Sequence, residues 1–347
     1  MLEKESYNRR NFIKAAASAS IGMSIMSNTS LFGQKITPDG KRIGIIGLDT
    51  SHSVAFTKEF NDPNADTELA GYRITAAYPK GSSDIESSYK RIPGYTEKVK
   101  EMGVQIVDSI EDLLKKVDVV LLETNDGRLH LEQALPVLRA GKTMFIDKPV
   151  TASLSDAITL FDEAEKYKVP LFSSSSLRFI DNAQAVVQGK VGKVTGASTY
   201  SPATIEKTHP DLFWYGIHGV ELLFTVMGTG CKSVVCVSTE GTDVAVGVWE
   251  DDRIGTFRGT RTGKHNYGGT AFGENDNMLL GPYQGYKPML LEIVNFFQTG
   301  KVPVSYKETL EILTFMEAAD ESKRMGGASV RLDVIWERAI KKARNRK

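Results

Sequence analysis

Gly47-Leu48-Asp49-Thr50-Ser51-His52 stands where a chain can hold a diphosphate. The apolar, β-branched run before it, 41–47, reads as a buried strand, and 53–61 after it reads as a helix. Free backbone N–H groups and the dipole of such a helix attract phosphate oxygens. A dinucleotide-binding turn usually reads G-x-G-x-x-G. Here Gly47 matches the first glycine, but Asp49 takes the second place and His52 the third. A carboxylate within about 5 Å of a diphosphate costs roughly 1–3 kcal/mol at an intermediate effective dielectric. Asp49 is therefore expected to turn away, either pairing with His52 or capping the helix together with Thr50 and Ser51. Otherwise the site has been put to another use.

More polar residues fall at the ends of apolar runs. The run 72–78 ends in Tyr78-Pro79-Lys80-Gly81-Ser82-Ser83, with no acid before Asp84 to take ribose hydroxyls. Lys80 and the serines suit a 2′-phosphate better, so NADP stands beside NAD as the expected cofactor. The run 118–124 leads into Thr124-Asn125, and 143–146 into Asp147-Lys148. The two cysteines, Cys231 and Cys236, lie five apart in a Val-rich strand, which points them to opposite faces. They read as small buried hydrophobes, not as a disulfide. No metal site is expected.

The elements that must position these groups alternate as strand and helix from 38 to 172: strands at 41–47, 72–78, 104–107, 118–124, 143–146 and 169–173, with helices between them. That rhythm predicts an α/β, Rossmann-type doubly wound parallel sheet. Ligands of such sheets sit beyond the C-terminal strand ends, where Asp49, Thr124-Asn125 and Asp147-Lys148 would converge. After the serine run 173–176 the rhythm changes. Short strands at 196–200, 233–239, 244–249 and 252–258 surround a helix at 217–227, and helices at 289–299 and 307–325 follow. This predicts an α+β second domain, 173–347, built on an open and mostly antiparallel sheet. The basic residues of 337–347 read as a solvated helical end.

Lys plus Arg equals Asp plus Glu at 43 each. This balance, with no basic patch interleaved with aromatics, argues against a nucleic-acid partner. Asn8-Arg9-Arg10-Asn11-Phe12-Ile13-Lys14, followed by an Ala/Ser-rich stretch to 26, reads as a twin-arginine export signal over 1–33. Its apolar part is shorter than the ~20 residues of a bilayer span. The mature protein is therefore expected in the periplasm, without a membrane span. Export in the folded state fits a protein that carries a tightly bound cofactor.

Taken in order, five segments resemble the Gfo/Idh/MocA oxidoreductases, the family of glucose–fructose oxidoreductase and inositol dehydrogenase. They are 118–124 with His130 and Ala140-Gly141-Lys142; Asp147-Lys148-Pro149, matching a Glu-Lys-Pro signature with Asp for Glu; Gly216-Ile217-His218; 286–303; and Ala318-Ala319 with Ser322. The resemblance implies an oxidoreductase acting on a sugar or polyol with NAD or NADP. It places Lys148 beside nicotinamide and the reacting hydroxyl, as a proton relay, and His218 as acid/base. Gly47 to His52, Lys80, Thr124, Asn125, His130 and Asp147 would hold the cofactor. Arg178, Trp214 and Tyr215 join His218 as candidates for holding substrate. An Asp usual four residues before the histidine is Trp214 here, with His209 or Asp211 as its possible replacement. The family also implies a homo-oligomer, which would cover the open sheet face. Two other readings stay open: a glycosidase or lyase working by transient oxidation, and a sugar-binding protein without catalysis.

Overall fold

The computed structural model describes residues 41–65 and 67–345, so the twin-arginine segment lies outside the described residues. A six-stranded sheet occupies the first half: β1 (Arg42–Ile46), β2 (Arg73–Tyr78), β3 (Gln105–Ile106), β4 (Val119–Leu122), β5 (Met144–Ile146) and β6 (Leu171–Ser173). Their order is β3-β2-β1-β4-β5-β6, and every pairing is parallel. Strand order reverses between β1 and β4, which opens a crevice beyond their C-terminal ends. β4 is buried along its whole length, as a central parallel strand covered on both faces must be.

Helices α1 (Ser51–Asn61), α2 (Glu86–Tyr89), α3 (Ile92–Glu101), α4 (Ile110–Leu114), α5 (His130–Arg139) and α6 (Leu154–Tyr167) connect these strands. Serines placed before helical runs act as caps: Ser109 accepts from Asp112 N, and Ser153 from Asp156 N. On one face, Phe56 and Phe60 of α1 and Val99 of α3 pack against Ile43 and Ile45. On the other, Ala134 and Val137 of α5 and Leu154 and Leu160 of α6 pack on Ile46, Val120 and Leu122.

After α7 (Asp181–Val187), the second half forms a seven-stranded sheet from β7 (Val194–Pro202), β8 (Cys231–Thr239), β9 (Thr242–Trp249), β10 (Ile254–Thr260), β11 (Gly268–Gly273), β12 (Asn277–Leu280) and β13 (Val330–Arg331). Only the β7–β10 pairing is parallel; the others are antiparallel. The short α8 (Asp211–Trp214) precedes α9 (Ile217–Met227). α9 and α11 (Tyr306–Arg324) cover one face of this sheet, where Phe224, Trp249 and Phe315 meet.

Three details depart from the sequence reading. Both cysteines enter one core, because a bulge between Cys231 and Ser233 shifts the alternation by a residue. Helix α10 (Lys287–Thr299), far along the chain, returns to the first domain, where Phe296 packs edge-on to Phe172 and Phe297 meets Tyr72. The basic C-terminal stretch belongs to α12 (Leu332–Arg344), which buries Ile335, Trp336, Ala339 and Ala343 and packs on α6, so only its charged side is solvated.

Candidate active site

The turn after β1 is built around Gly47. Its φ is +89°, and a Cβ there would lie 2.5 Å from the Thr124 backbone. The N–H groups of Gly47 and Leu48 donate to the carbonyls of Tyr78 and Pro79, and the Leu48 side chain is buried in the core. Neither residue therefore offers a donor to a ligand, contrary to expectation. Thr50 caps α1, accepting from His52 N, and the first turn of α1 carries no acid. Thr50, Ser51, His52 and Asn125 line a cavity of about 380 Å³, so α1 presents its N-terminus to that cavity.

Asp49 neither pairs with His52 nor caps the helix. Its carboxylate is fully enclosed and accepts from Ser82 N at 3.1 Å and from Asn125 N at 2.9 Å. Burial pushes its carboxyl above the usual range, and these two N–H groups oppose that shift. Asp49 thus ties the loops after β2 and β4 to the turn between them. A second tie lies outside it, where Arg128 joins Asp126 and Asp84. Lys80 is exposed, with its carbonyl accepting from Gln133, and it does not line the cavity. Ser87 of α2 and Arg91, just before α3, line it instead. Thr124 is buried against Gly47, and His130 lies between the carbonyls of Thr124 and Val150, at 2.6 and 3.1 Å. Both build the loops rather than the cavity wall.

Lys148 reaches the cavity from the loop after β5, while Asp147 lies behind it. Asp147 Oδ1 accepts from Lys148 N at 2.8 Å; its Oδ2 is 3.7 Å from Lys148 Nζ and 3.0 Å from His52 Nδ1. Glu123, at the end of β4, is fully enclosed, with Oε2 3.7 Å from the same nitrogen. Burial alone would push the His52 imidazole down, but Asp147 outweighs it and holds it up at about 9. Burial raises Glu123; it also opposes ionisation of Asp147, whose carboxyl His52 and Lys148 nonetheless keep below the usual range. Sequence reading absorbed Glu123 into an apolar strand. Its place at the C-terminal edge, one residue before Thr124, was the available signal.

The opposite wall comes from the second domain. His218 sits in the first turn of α9, with Nδ1 2.8 Å from Ser175 Oγ and its ring edge-on to Tyr215 and Tyr267. Burial, and then the charge of Lys148, push its imidazole well below the usual range. His218 is consequently neutral at pH 7 and can accept a proton. Trp214, Tyr215, Tyr267, Tyr283 and Tyr286 also line the cavity. Neither proposed replacement for the missing Asp reaches His218. His209 faces Asp126 at 3.3 Å, and Asp211 pairs with Lys323 at 2.6 Å. Arg178 is buried away from the cavity, between Glu221 at 2.9 Å and Glu308 at 2.7 Å. Long side chains from three separate elements close that ion group, so spacing gave no sign of it.

Residues 41–175, spanning the parallel sheet and the turns just described, match the model of the GFO_IDH_MocA family, described as "Oxidoreductase family, NAD-binding Rossmann fold". Over these residues the chain is similar to the Gfo/Idh/MocA oxidoreductases. A 103-residue stretch is 32% identical to 1,5-anhydro-D-fructose reductase of Ensifer adhaerens, covering 27% of this chain and 30% of that protein. Alignments to curated relatives span only 39% and 30% of their lengths. A probable dehydrogenase of Thermotoga maritima superposes with a TM-score of 0.69 at 19% identity, over 85% of this chain and 99% of that one. Scyllo-inositol dehydrogenase of Lactobacillus casei, solved with NAD(H) and scyllo-inositol, gives 0.67 at 17% identity over the same shares. At those identities the likeness establishes the two-domain fold. In this fold the turn after β1 sets the N-terminus of α1 at the cavity and carries one of the three fingerprint glycines.

Proposed function

We propose that this protein is an exported oxidoreductase that oxidises or reduces a hydroxyl-bearing carbon of a sugar or polyol, using NAD or NADP held tightly between β1 and β4. One observation carries the reading: Lys148 and His218 come from different domains, yet line the same cavity as the N-terminus of α1. The cavity accommodates the phosphate half of a dinucleotide, since Thr50, Ser51 and Asn125 line it and Asp49 is turned away. Arg91 adds a cationic guanidinium on that side.

Bound there, a nicotinamide supplies hydride acceptance or donation. The chain supplies the rest. As a C–H bond loses hydride, its hydroxyl must lose a proton. His218, kept neutral by burial and by Lys148, accepts that proton, and the Lys148 ammonium stabilises the oxygen as negative charge develops. The tyrosines and Trp214 offer aromatic faces for the C–H faces of a sugar ring, and phenol groups for its hydroxyls. The twin-arginine pair Arg9-Arg10 supports export to the periplasm. The uncovered face of the second sheet carries Val235, Val237, Val244, Val246 and Val248, none of them buried, and supports pairing with another copy. No helix among the described residues is long and apolar enough to cross a membrane.

The test begins with the purified chain, denatured, and its released small molecules identified by mass spectrometry. NAD or NADP near one per chain, with sugar-dependent absorbance change at the nicotinamide band lost in Lys148→Ala and His218→Ala, is the expected result. No nucleotide, and no thermal stabilisation by added NAD or NADP, would overturn the proposal.

A further inference from the structure

We propose that His52, Glu123 and Asp147 form a binding site for a first-row divalent cation, Mn²⁺ or Zn²⁺, at the floor of the cavity. The three residues arrive from the first turn of α1 and from the ends of β4 and β5, and their ligand atoms lie within 4.8 Å of one another. Two separations from His52 Nδ1 are measured: 3.0 Å to Asp147 Oδ2 and 3.7 Å to Glu123 Oε2. Ligands about 2.1 Å from a common ion, at angles of 90–120°, stand roughly 3.0–3.6 Å apart.

A second observation points to a missing cation. Neither Glu123 oxygen makes a hydrogen bond, although both are buried, and His52 Nδ1 and Asp147 Oδ2 have only each other, 3.0 Å apart. Such orphaned acceptors are costly and call for a partner. His52 lies 3.0 Å from Asp147 Oδ2 and Lys148 Nζ lies 3.7 Å from the same oxygen, so both nearby cations serve Asp147 first, and Glu123 is left 3.7 Å from His52 with no donor in hydrogen-bond reach. The ligands are also held in place. Lys148 N pins Asp147 Oδ1, and Phe56 and Tyr286 pack on the His52 ring.

One imidazole with two carboxylates suits Zn²⁺, a borderline ion, and Mn²⁺, a harder one that still accepts an imidazole, over Ca²⁺ and Mg²⁺, which prefer oxygen ligands alone. The ion takes the place of the imidazole proton at Nδ1. Because His52 and Lys148 both line the cavity, the remaining coordination positions open towards it and suit a hydroxyl oxygen of a bound polyol. Metal binding needs no nucleotide, so the site stands or falls apart from the redox reading.

The test uses the full chain, stripped with chelator and titrated with MnCl₂ while free Mn²⁺ is followed by electron paramagnetic resonance. The expected result is one Mn²⁺ per chain, displaced by ZnCl₂ but not by CaCl₂, with affinity reduced at least about tenfold in both Glu123→Gln and His52→Gln. Should a variant fail to fold, a rise in the parent's melting temperature with Mn²⁺ or Zn²⁺, absent with Ca²⁺, decides the matter. No binding of either ion at about 1 mM to the folded parent, or binding that survives either substitution, overturns the proposal.

Discussion

Replacing Asp49 by Asn separates the two roles that its position allows. As a charge facing a diphosphate, the carboxylate would weaken dinucleotide binding by about 1–3 kcal/mol, or roughly ten- to a hundredfold. As a loop tie, it satisfies the N–H groups of Ser82 and Asn125, which converge on its two oxygens at 3.1 and 2.9 Å. The amide keeps one acceptor and turns its NH₂ towards the other donor, so one buried N–H loses its partner. An orphaned buried donor costs about 1–3 kcal/mol, and relief of the buried carboxylate returns part of that. We expect Asp49→Asn to lose about 1–2 kcal/mol in urea unfolding at pH 7 and to change the dissociation constant for NAD or NADP by less than about threefold in titration calorimetry. A variant of unchanged stability that binds dinucleotide at least about tenfold more tightly would refute this reasoning, because the carboxylate would then have been acting on the phosphates.

Arg178→Met tests the reassignment of that residue from substrate to structure. It strands Glu221 and Glu308 without their cation, and breaking a buried ion group of this kind costs about 3–5 kcal/mol. Thermal melting should fall sharply while the KM of the surviving folded enzyme stays within about twofold; a large rise in KM with unchanged melting would return Arg178 to the substrate site. Asp320 gives a pH signature. Burial, and then the charge of Asp211, push its carboxyl up to about 8. The folded state therefore holds this proton more tightly than the unfolded one, and stability falls as pH rises from about 4 to 8, by on the order of 5 kcal/mol at most. Asp320→Asn should raise the melting temperature relative to the parent at pH 8.5 and do little at pH 5; an equal effect at both pH values would sink the assignment.

The fold was legible because its signals are local. The runs 43–46 and 119–122 are apolar and β-branched or leucine-rich, and serines at 109, 153 and 305 announce the helices they cap. Lys148 and His218 were legible through short motifs, and the structure brings them to one cavity. What escaped was long-range. β11 is rich in glycine and β12 is only four residues long, so they carry little periodicity. The bulge after Cys231 reversed an expected facing, and α10 folds back onto a domain more than a hundred residues earlier in the chain. Lys80 was expected to line the ligand site because it follows β2, but Asp49 draws the next turn inward by Ser82 N and leaves Lys80 outside. No local pattern encodes such a contact between residues 33 positions apart.

The departures from the family pattern make sense as one change. Where the glycine fingerprint has its third glycine, His52 brings an imidazole to within 3.0 Å of Asp147. Asp147 itself replaces the glutamate of the family's Glu-Lys-Pro signature, and a side chain one methylene shorter leaves room for the ring. Glu123 approaches the same ring nitrogen, Nδ1, at 3.7 Å, where it needs a positive neighbour. Asp49 belongs to the same rearrangement. Its carboxylate avoids the helix end only because Ser82 and Asn125 supply N–H groups elsewhere, and Gly81 leaves the space for it: a Cβ at Gly81 would stand 2.0 Å from Asp49 Oδ2. A turn that had merely decayed would have no reason to keep an acceptor matched to two donors, a glycine cleared for it, and an imidazole directed at two enclosed carboxylates. The altered turn is held in its shape by side-chain contacts instead of by backbone glycines.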